Sequence, residues 1–161
     1  MNGIHHVAYT CRDIEETYHF YHDLLGLPLV NTELQENPDG SWFKHIFFQL
    51  DDGGCIAFFK VQGFGEPDPI RTAVSTDLGL PVWVNHIAFR VDAHKAKALS
   101  GRMKEGGVAK TMDVDHGWCH SRYYTDPNGI LIELCVDSSG MQVDEGEALD
   151  RMRRSTAPSP V

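Results

Sequence analysis

The sequence predicts an α+β fold in which two βαβββ repeats form a curved, partly open mixed sheet. The first observation is a short repeat, since His6-Val7-Ala8-Tyr9 recurs 80 residues later as His86-Ile87-Ala88-Phe89. The second is that a helical pattern and a turn-linked hairpin follow each copy in the same order. Because such a shared order is hard to reach by chance, we interpret the chain as an internal duplication.

Each copy opens with a strand and continues into a capped helix. Val7, Tyr9 and Cys11 alternate along the first strand, as Ile87, Phe89 and Val91 do along its counterpart. Asp13 and Asp92 are the expected N-caps, with Glu16 as the capping-box partner of Asp13. The apolar residues that follow at helical spacing are Ile14, Tyr18, Tyr21 and Leu25 in the first copy and Ala96, Leu99 and Met103 in the second. Glycines end both helices.

A hairpin completes each repeat and sets the domain boundaries. In the first repeat the turn 51–54 separates residues 47–50 from 55–61, and in the second Asp126-Pro127-Asn128-Gly129 separates residues 122–125 from 130–136. We expect one domain over residues 1–137, with repeat one at 1–62, a Gly- and Pro-rich linker at 63–80 and repeat two at 81–137. Residues 138–161 form a polar C-terminal tail with a short helix near 145–153.

Composition narrows the classes of partner. The chain of 161 residues carries a formal charge of −9, which argues against a nucleic-acid partner. It has no apolar run long enough to span a bilayer and begins without a signal region, so we expect a cytoplasmic protein with a small-molecule substrate. Its four cysteines form no CxxC pair, and we interpret them as buried thiols.

Three side chains are the expected metal ligands. Strand parity puts His6 and His86 on the face opposite the apolar residues of their strands, at matching positions of the two repeats. Glu133 is an isolated acid within Ile130-Leu131-Ile132-Glu133-Leu134-Cys135. Burying such a carboxylate is costly unless a partner compensates its charge, and a divalent ion would do so.

These motifs resemble the vicinal oxygen chelate superfamily, which includes glyoxalase I, bleomycin-resistance proteins, fosfomycin-resistance thiol transferases and extradiol dioxygenases. The resemblance covers roughly residues 3–137, and the most specific segments are 6–9, 20–26, 85–89 and 124–133. It implies a glyoxalase/dioxygenase-like fold around a metal site, with His6, His86 and Glu133 as ligands. It also implies a divalent ion, with Fe²⁺ favoured and Mn²⁺, Ni²⁺ or Zn²⁺ as alternatives. Relatives of this length and the unpaired sheet edges favour a homodimer, so the site lies within one chain or across two.

The fourth ligand of glyoxalase-like members, a Glu or Gln, has no counterpart here. Aligning Gly54 with Gly129 sets Phe58 opposite Glu133, and a one-residue shift sets Ala57 there. Neither side chain binds a metal or accepts a proton, which disfavours isomerase chemistry of the glyoxalase type.

An extradiol-type ring-cleaving dioxygenase is the leading hypothesis for the function. By the same resemblance, Tyr123 stands ten residues before Glu133, where extradiol dioxygenases carry a substrate-binding tyrosine. Nearby His116 and His120 are the candidate acid–base residues. The alternatives are a thiol transferase of the fosfomycin-resistance type and a glyoxalase-like lyase. A non-enzymatic drug-binding protein is a further alternative, but such relatives generally lack the ligand set, so the presence of all three ligands here disfavours it.

Overall fold

A computed structural model describes residues 3–138 and 144–154. The first repeat contains strand β1 (His6–Thr10), helix α1 (Ile14–Tyr18) and strands β2 (Leu29–Glu36), β3 (Trp42–Gln49) and β4 (Cys55–Gln62). The second contains β5 (His86–Arg90), α2 (Ala93–Glu105), β6 (Lys110–Asp115), β7 (Cys119–Thr125) and β8 (Leu131–Asp137). A 3₁₀ turn (Thr76–Leu78) lies in the segment between them, and helix α3 (Glu145–Arg153) follows β8.

The two sheets have the same topology. Their strand orders are β1-β4-β3-β2 and β5-β8-β7-β6. In each sheet the first strand of the repeat pairs in parallel with the last, and the other pairings are antiparallel. The predicted α+β fold with two βαβββ repeats is therefore confirmed.

The strand registers define which residues of the two repeats are equivalent. Ala8 lies opposite Ala57 in the first sheet, and Ala88 lies opposite Glu133 in the second. Ala57 is therefore the counterpart of Glu133, and the alignment that matched Phe58 with Glu133 is wrong. The matching turn glycines are Gly53 and Gly129, at φ of +87° and +83°.

The first helix begins as expected but changes its winding. The Asp13 carboxylate accepts hydrogen bonds from the backbone N–H groups of Glu15 and Glu16 at 2.8 and 2.9 Å. After Tyr18 the helix continues as a π-helical turn over residues 19–24. This turn buries Phe20, Tyr21 and Leu24 in the core.

A shared core joins the repeats through the helical side of each sheet. It is formed by apolar side chains from the helices and from one face of each sheet: Phe20, Tyr21, Leu24, Leu25, Ile46, Phe48, Ile56, Phe58, Ala96, Leu99, Met103, Tyr124, Ile130, Ile132 and Leu134. Burial of this apolar surface is the main source of stability. The other face of each sheet, which carries His6 in one repeat and His86 in the other, lies outside this core.

Polar contacts lock the first helix to the last hairpin turn. The Tyr21 hydroxyl donates to Asp126 Oδ2 at 3.0 Å, and Asn128 Nδ2 donates to Thr17 Oγ1 at 3.2 Å. The Arg12 backbone N–H donates to Asn128 Oδ1 at 3.0 Å. Burial raises the pKa of Asp126. The turn that the sequence predicted thus also fixes the orientation of one repeat relative to the other.

The C-terminal segment is described only in part. Helix α3 has the bounds that the tail pattern predicts, and Asp144 caps it by accepting from the Glu147 N–H at 2.9 Å. The remaining tail positions, 139–143 and 155–161, lie outside the described residues. In the described part of the chain, none of the helices has the length and apolar character needed to cross a bilayer.

Replacing Tyr21 with Phe should lower the free energy of unfolding by about 1–3 kcal/mol, because a buried carboxyl loses a donor while the ring packing stays. Chemical denaturation with circular dichroism measures the difference. Tyr18→Phe is the matched control, since the Tyr18 ring contacts His22 and Phe48 and this ring packing does not need the hydroxyl. Equal stabilities of the two variants would contradict a locking role for Tyr21.

Candidate metal centre and facing surface

Two of the predicted metal ligands meet on the second sheet. His86 Nε2 lies 3.1 Å from Glu133 Oε2. Parallel pairing of β5 with β8 brings them together, because Ala88 faces Glu133 and His86 lies two residues earlier on the same face. The imidazole is partly exposed whereas Glu133 is 5% exposed, so the pair lies at the edge between solvent and interior.

The neighbours of this pair leave one imidazole nitrogen free to bind a cation. His86 Nδ1 lies 2.9 Å from the carbonyl oxygen of Trp83, which makes Nδ1 the protonated nitrogen. The lone pair of Nε2 then faces the carboxylate of Glu133, whose Oε1 accepts from the Ser121 hydroxyl. His86 Nε2 and Glu133 Oε2 are then both acceptors, and they lie 3.1 Å apart. A positive charge is needed between them, either a second proton or a metal ion. The residues present therefore fit a divalent ion.

Tyr123 and His116 adjoin the same carboxylate. Tyr123 pairs with Glu133 across β7 and β8, and its hydroxyl lies 3.0 Å from His116 Nε2. Burial, and then the charge of Glu133, raise the pKa of Tyr123. Its phenol therefore stays protonated at neutral pH and can donate a hydrogen bond beside the carboxylate.

The second candidate acid–base residue, His120, lies elsewhere. His120 Nε2 contacts Asp113 Oδ1 at 2.6 Å, and the imidazole is 41% exposed. His120 is adjacent to Ser121 in β7, so it projects from the opposite face of the sheet. The structure thus brings Tyr123 and His116 to Glu133 but not His120. His120 and Tyr123 are three residues apart in β7, so their side chains lie on opposite faces of the sheet. The sequence alone therefore separates His120 from the site.

The equivalent face of the first sheet carries His6 among aromatic rings. The His6 ring is exposed and lies 5.5 Å from Phe47 and 5.9 Å from His45, measured between ring centroids. By register, Phe47 is the counterpart of Tyr123, His45 of Ser121 and Ala57 of Glu133. The polar positions of the second face are therefore aromatic or small on the first.

His45 is a candidate functional residue that sequence reasoning missed. It is 6% exposed, stacks on Phe59 with centroids 3.7 Å apart, and has Nδ1 at 3.3 Å from Glu33 Oε2. Burial lowers its pKa, although Glu33 opposes the shift. Nε2 is buried without a hydrogen-bond partner among the described residues. A neutral imidazole held by Glu33 thus presents an unsatisfied acceptor on the face that carries His6. The sequence signal that was available is the alternation of Phe43, His45 and Phe47, which places His45 on the same face of β3 as the two aromatic rings.

His6 does not join the other two predicted ligands within one chain. Over residues 3–138 and 144–154, the cluster of three metal-binding side chains whose donor atoms lie within 4.8 Å of one another contains His116, Cys119 and Glu133. His6 lies on β1 of the first sheet instead, on the face away from the shared core. Of the two arrangements that the sequence left open, a site closed within a single chain therefore has no geometric support here.

Comparison with known proteins identifies the class. The family model described as the Glyoxalase/Bleomycin resistance protein/Dioxygenase superfamily matches residues 3–134, and the chain belongs to this family. Its members are mostly metal-dependent enzymes that act on small molecules. The resemblance noted from the sequence motifs is confirmed.

The relatives that match this chain are named after different reactions. MhqA of Bacillus subtilis (strain 168), whose name assigns it to the ring-cleaving dioxygenases, is 25% identical over 161 residues, which is 99% of this chain and 47% of MhqA. The chain thus spans about half the length of that relative. Glyoxylase I 4 of Arabidopsis thaliana is 24% identical over 139 residues, covering 84% of this chain and 71% of the relative.

Solved structures support the fold. The fosfomycin resistance protein FosX from Listeria monocytogenes aligns with a TM-score of 0.61 at 21% identity, covering 86% of this chain and 95% of FosX. Another FosX crystal structure, with a TM-score of 0.59 and 20% identity over 92% of this chain and 98% of that one, contains Mn(II). At these identities the likeness establishes the fold alone.

Proposed function

We propose that the protein is a metal-dependent, extradiol-type dioxygenase that cleaves the ring of a small aromatic substrate bearing two adjacent hydroxyl groups. The observation that carries the proposal is that the two repeats present chemically different faces outside the shared core. One face offers His86, Glu133 and Tyr123, and the other offers His6 with an unsatisfied, buried imidazole at His45 among aromatic rings. The name of MhqA supports the same reaction class.

His6, His86 and Glu133 are the proposed metal ligands. Two imidazoles and one carboxylate leave open positions on a six-coordinate ion, and this donor set suits iron(II). When bound, the iron would supply the redox chemistry that lets dioxygen react with the substrate. Ala57 in place of a fourth ligand removes both a donor and a base, so proton abstraction of the glyoxalase type is disfavoured.

A homodimer would complete this ligand set. His6 is separated from the His86–Glu133 pair in one chain, and both surfaces lie outside the core that joins the repeats. A two-fold dimer that sets the first-repeat face of one chain against the second-repeat face of its partner forms two identical sites. Each site then has His6 from one chain and His86 with Glu133 from the other.

The side chains that face the substrate have separate roles. Phe47, beside His6, offers a ring against which an aromatic substrate can pack in an offset or edge-on manner. His45 Nε2 accepts the proton of a substrate hydroxyl, while Glu33 stabilises the imidazolium through Nδ1. The Tyr123 hydroxyl donates a hydrogen bond to a substrate oxygen, and His116 orients that hydroxyl.

The protein reconstituted with iron(II) under anaerobic conditions should bind about one iron ion per chain through these ligands. His86→Ala should lose most of the metal, because three ligands provide little redundancy. Elemental analysis after gel filtration gives the ratio. His94→Ala is the control, since His94 is exposed on helix α2. Full metal content in His86→Ala would refute the ligand assignment.

Mixing two inactive variants should restore activity if the ligands come from different chains. His6→Ala and His86→Ala chains, unfolded together and refolded, form heterodimers in which one of the two sites has all its ligands. Random pairing makes half of the dimers mixed, so the mixture should regain about a quarter of the wild-type activity. Light scattering checks the dimer. Failure of the mixture to exceed the separate variants, with dimers present, would contradict the shared site.

His45→Gln should lower kcat by about 10²–10⁴-fold with metal content unchanged, because the variant loses a base and keeps the ligands. Tyr123→Phe should also lower kcat and keep the metal, because its hydroxyl acts on substrate. Oxygen uptake with a panel of catechols measures both, and His94→Gln is the control. If the iron-loaded wild type consumes no oxygen with any diol yet opens an epoxide with a thiol, the transferase alternative replaces the dioxygenase.

A further inference from the structure

A cluster of donor side chains at the β6–β7 hairpin includes a cysteine that the proposed function does not use. One donor atom each from His116, Cys119 and Glu133 lies within 4.8 Å of the others. Ligands of a tetrahedral Zn²⁺, at about 2.0–2.3 Å from the ion, are separated from one another by roughly 3.3–3.8 Å. A shift of about one ångström therefore brings all three donors to bonding distance.

We propose that His116, Cys119 and Glu133 form a second cation site, complete within one chain, that takes a thiophilic divalent ion such as Zn²⁺. The site needs no residue from another subunit. Three protein ligands leave a fourth position of the tetrahedron for water.

The hairpin holds the donors in place. The His116 backbone N–H donates to the Cys119 carbonyl at 2.9 Å, and Gly117 makes the tight turn between them at a φ of +82°. Cys119 and Glu133 are buried on neighbouring strands, whereas His116 is exposed at the rim. An incoming ion therefore meets the exposed imidazole first and is then held by two donors in a poorly solvated setting.

Charge and donor softness favour a thiophilic ion. A thiolate and a carboxylate together carry two negative charges, which a divalent cation neutralises while the imidazole contributes none. Sulfur donors prefer zinc to the harder ions, such as manganese, that suit oxygen ligands, and the set of His6, His86 and Glu133 contains no sulfur. The two sites thus differ in which metal they select.

Glu133 belongs to both ligand sets, so an ion at the second site weakens the first. Its Oε2 lies 3.1 Å from His86 Nε2, whereas its Oε1 lies on the side of Ser121 and Cys119. A carboxylate that shares its negative charge between two cations binds each of them less tightly. Zinc at the second site should therefore inhibit the iron-loaded enzyme. This inhibitory consequence rests on the proposed function, whereas zinc binding by Cys119 does not.

Cobalt(II) tests the site, because a bound thiolate gives a sulfur-to-cobalt charge-transfer band in the near ultraviolet. The metal-free full chain should develop this band on titration with Co²⁺ and lose it when Zn²⁺ is added. Cys119→Ser should abolish the band, and His116→Ala should weaken cobalt binding by roughly 100-fold. Cys11→Ser, equally buried in the first repeat, and His86→Ala should keep the band. Thermal unfolding confirms that each variant is folded. If Cys119→Ser does not fold, His116→Ala becomes the deciding variant, because His116 is exposed and its replacement leaves the core intact.

The outcomes separate this site from the proposed function. Absence of the band in the wild type, or its persistence in Cys119→Ser, would overturn the second site. Loss of the band in Cys135→Ser but not in Cys119→Ser would assign the sulfur to the neighbouring thiol and overturn it as well. A band that depends on Cys119, in a protein that consumes no oxygen with any diol, would uphold the second site and reject the dioxygenase.

Discussion

The buried carboxylate of Glu133 imposes the constraint on which the arrangement of the second repeat depends. An ionised carboxylate at 5% exposure is stable only if neighbouring groups replace the water that it has lost. Ser121 donates to one oxygen, and the imidazole of His86 lies beside the other. The parallel pairing of β5 with β8 and the antiparallel pairing of β7 with β8 are what bring these groups to it. A one-residue slip in either register would turn the partners to the wrong face.

Duplication followed by divergence explains why the two faces differ. The repeats keep the same strand order and the same turn glycine. The positions of His86, Ser121, Tyr123 and Glu133 in the second repeat therefore each have a counterpart in the first. Only the histidine of the first strand is retained in both. The first repeat has Ala57 where the second has Glu133, and Phe47 where the second has Tyr123. The second face thus carries a carboxylate and hydroxyl groups, whereas the first carries imidazoles and aromatic rings.

The sequence predicted the parts of this molecule that depend on local periodicity. Alternation and capping signals located the repeated elements, and Asp13 and Asp92 cap the helices as expected. Two features depend on packing. The π-helical turn after Tyr18 was missed, because the helical spacing of apolar residues does not distinguish it from a regular α-helix. The choice between Phe58 and Ala57 as the counterpart of Glu133 stayed open, because an alignment of glycines does not determine the pairing register.

In the candidate site, strand parity likewise determines which side chains share a face, whereas the roles of single residues depend on tertiary contacts. Parity brings Tyr123 to Glu133 and excludes His120, and both results follow from counting along β7. The role of His45 depends on a stack with Phe59, a contact with Glu33 and an unsatisfied nitrogen, none of which has a signature in one sequence. The contact between Tyr21 and Asp126 helps to join the repeats at their helical sides, and the faces that carry the proposed ligands lie outside the shared core. In the dimer that we propose, a second copy of the chain brings these two faces together over one substrate.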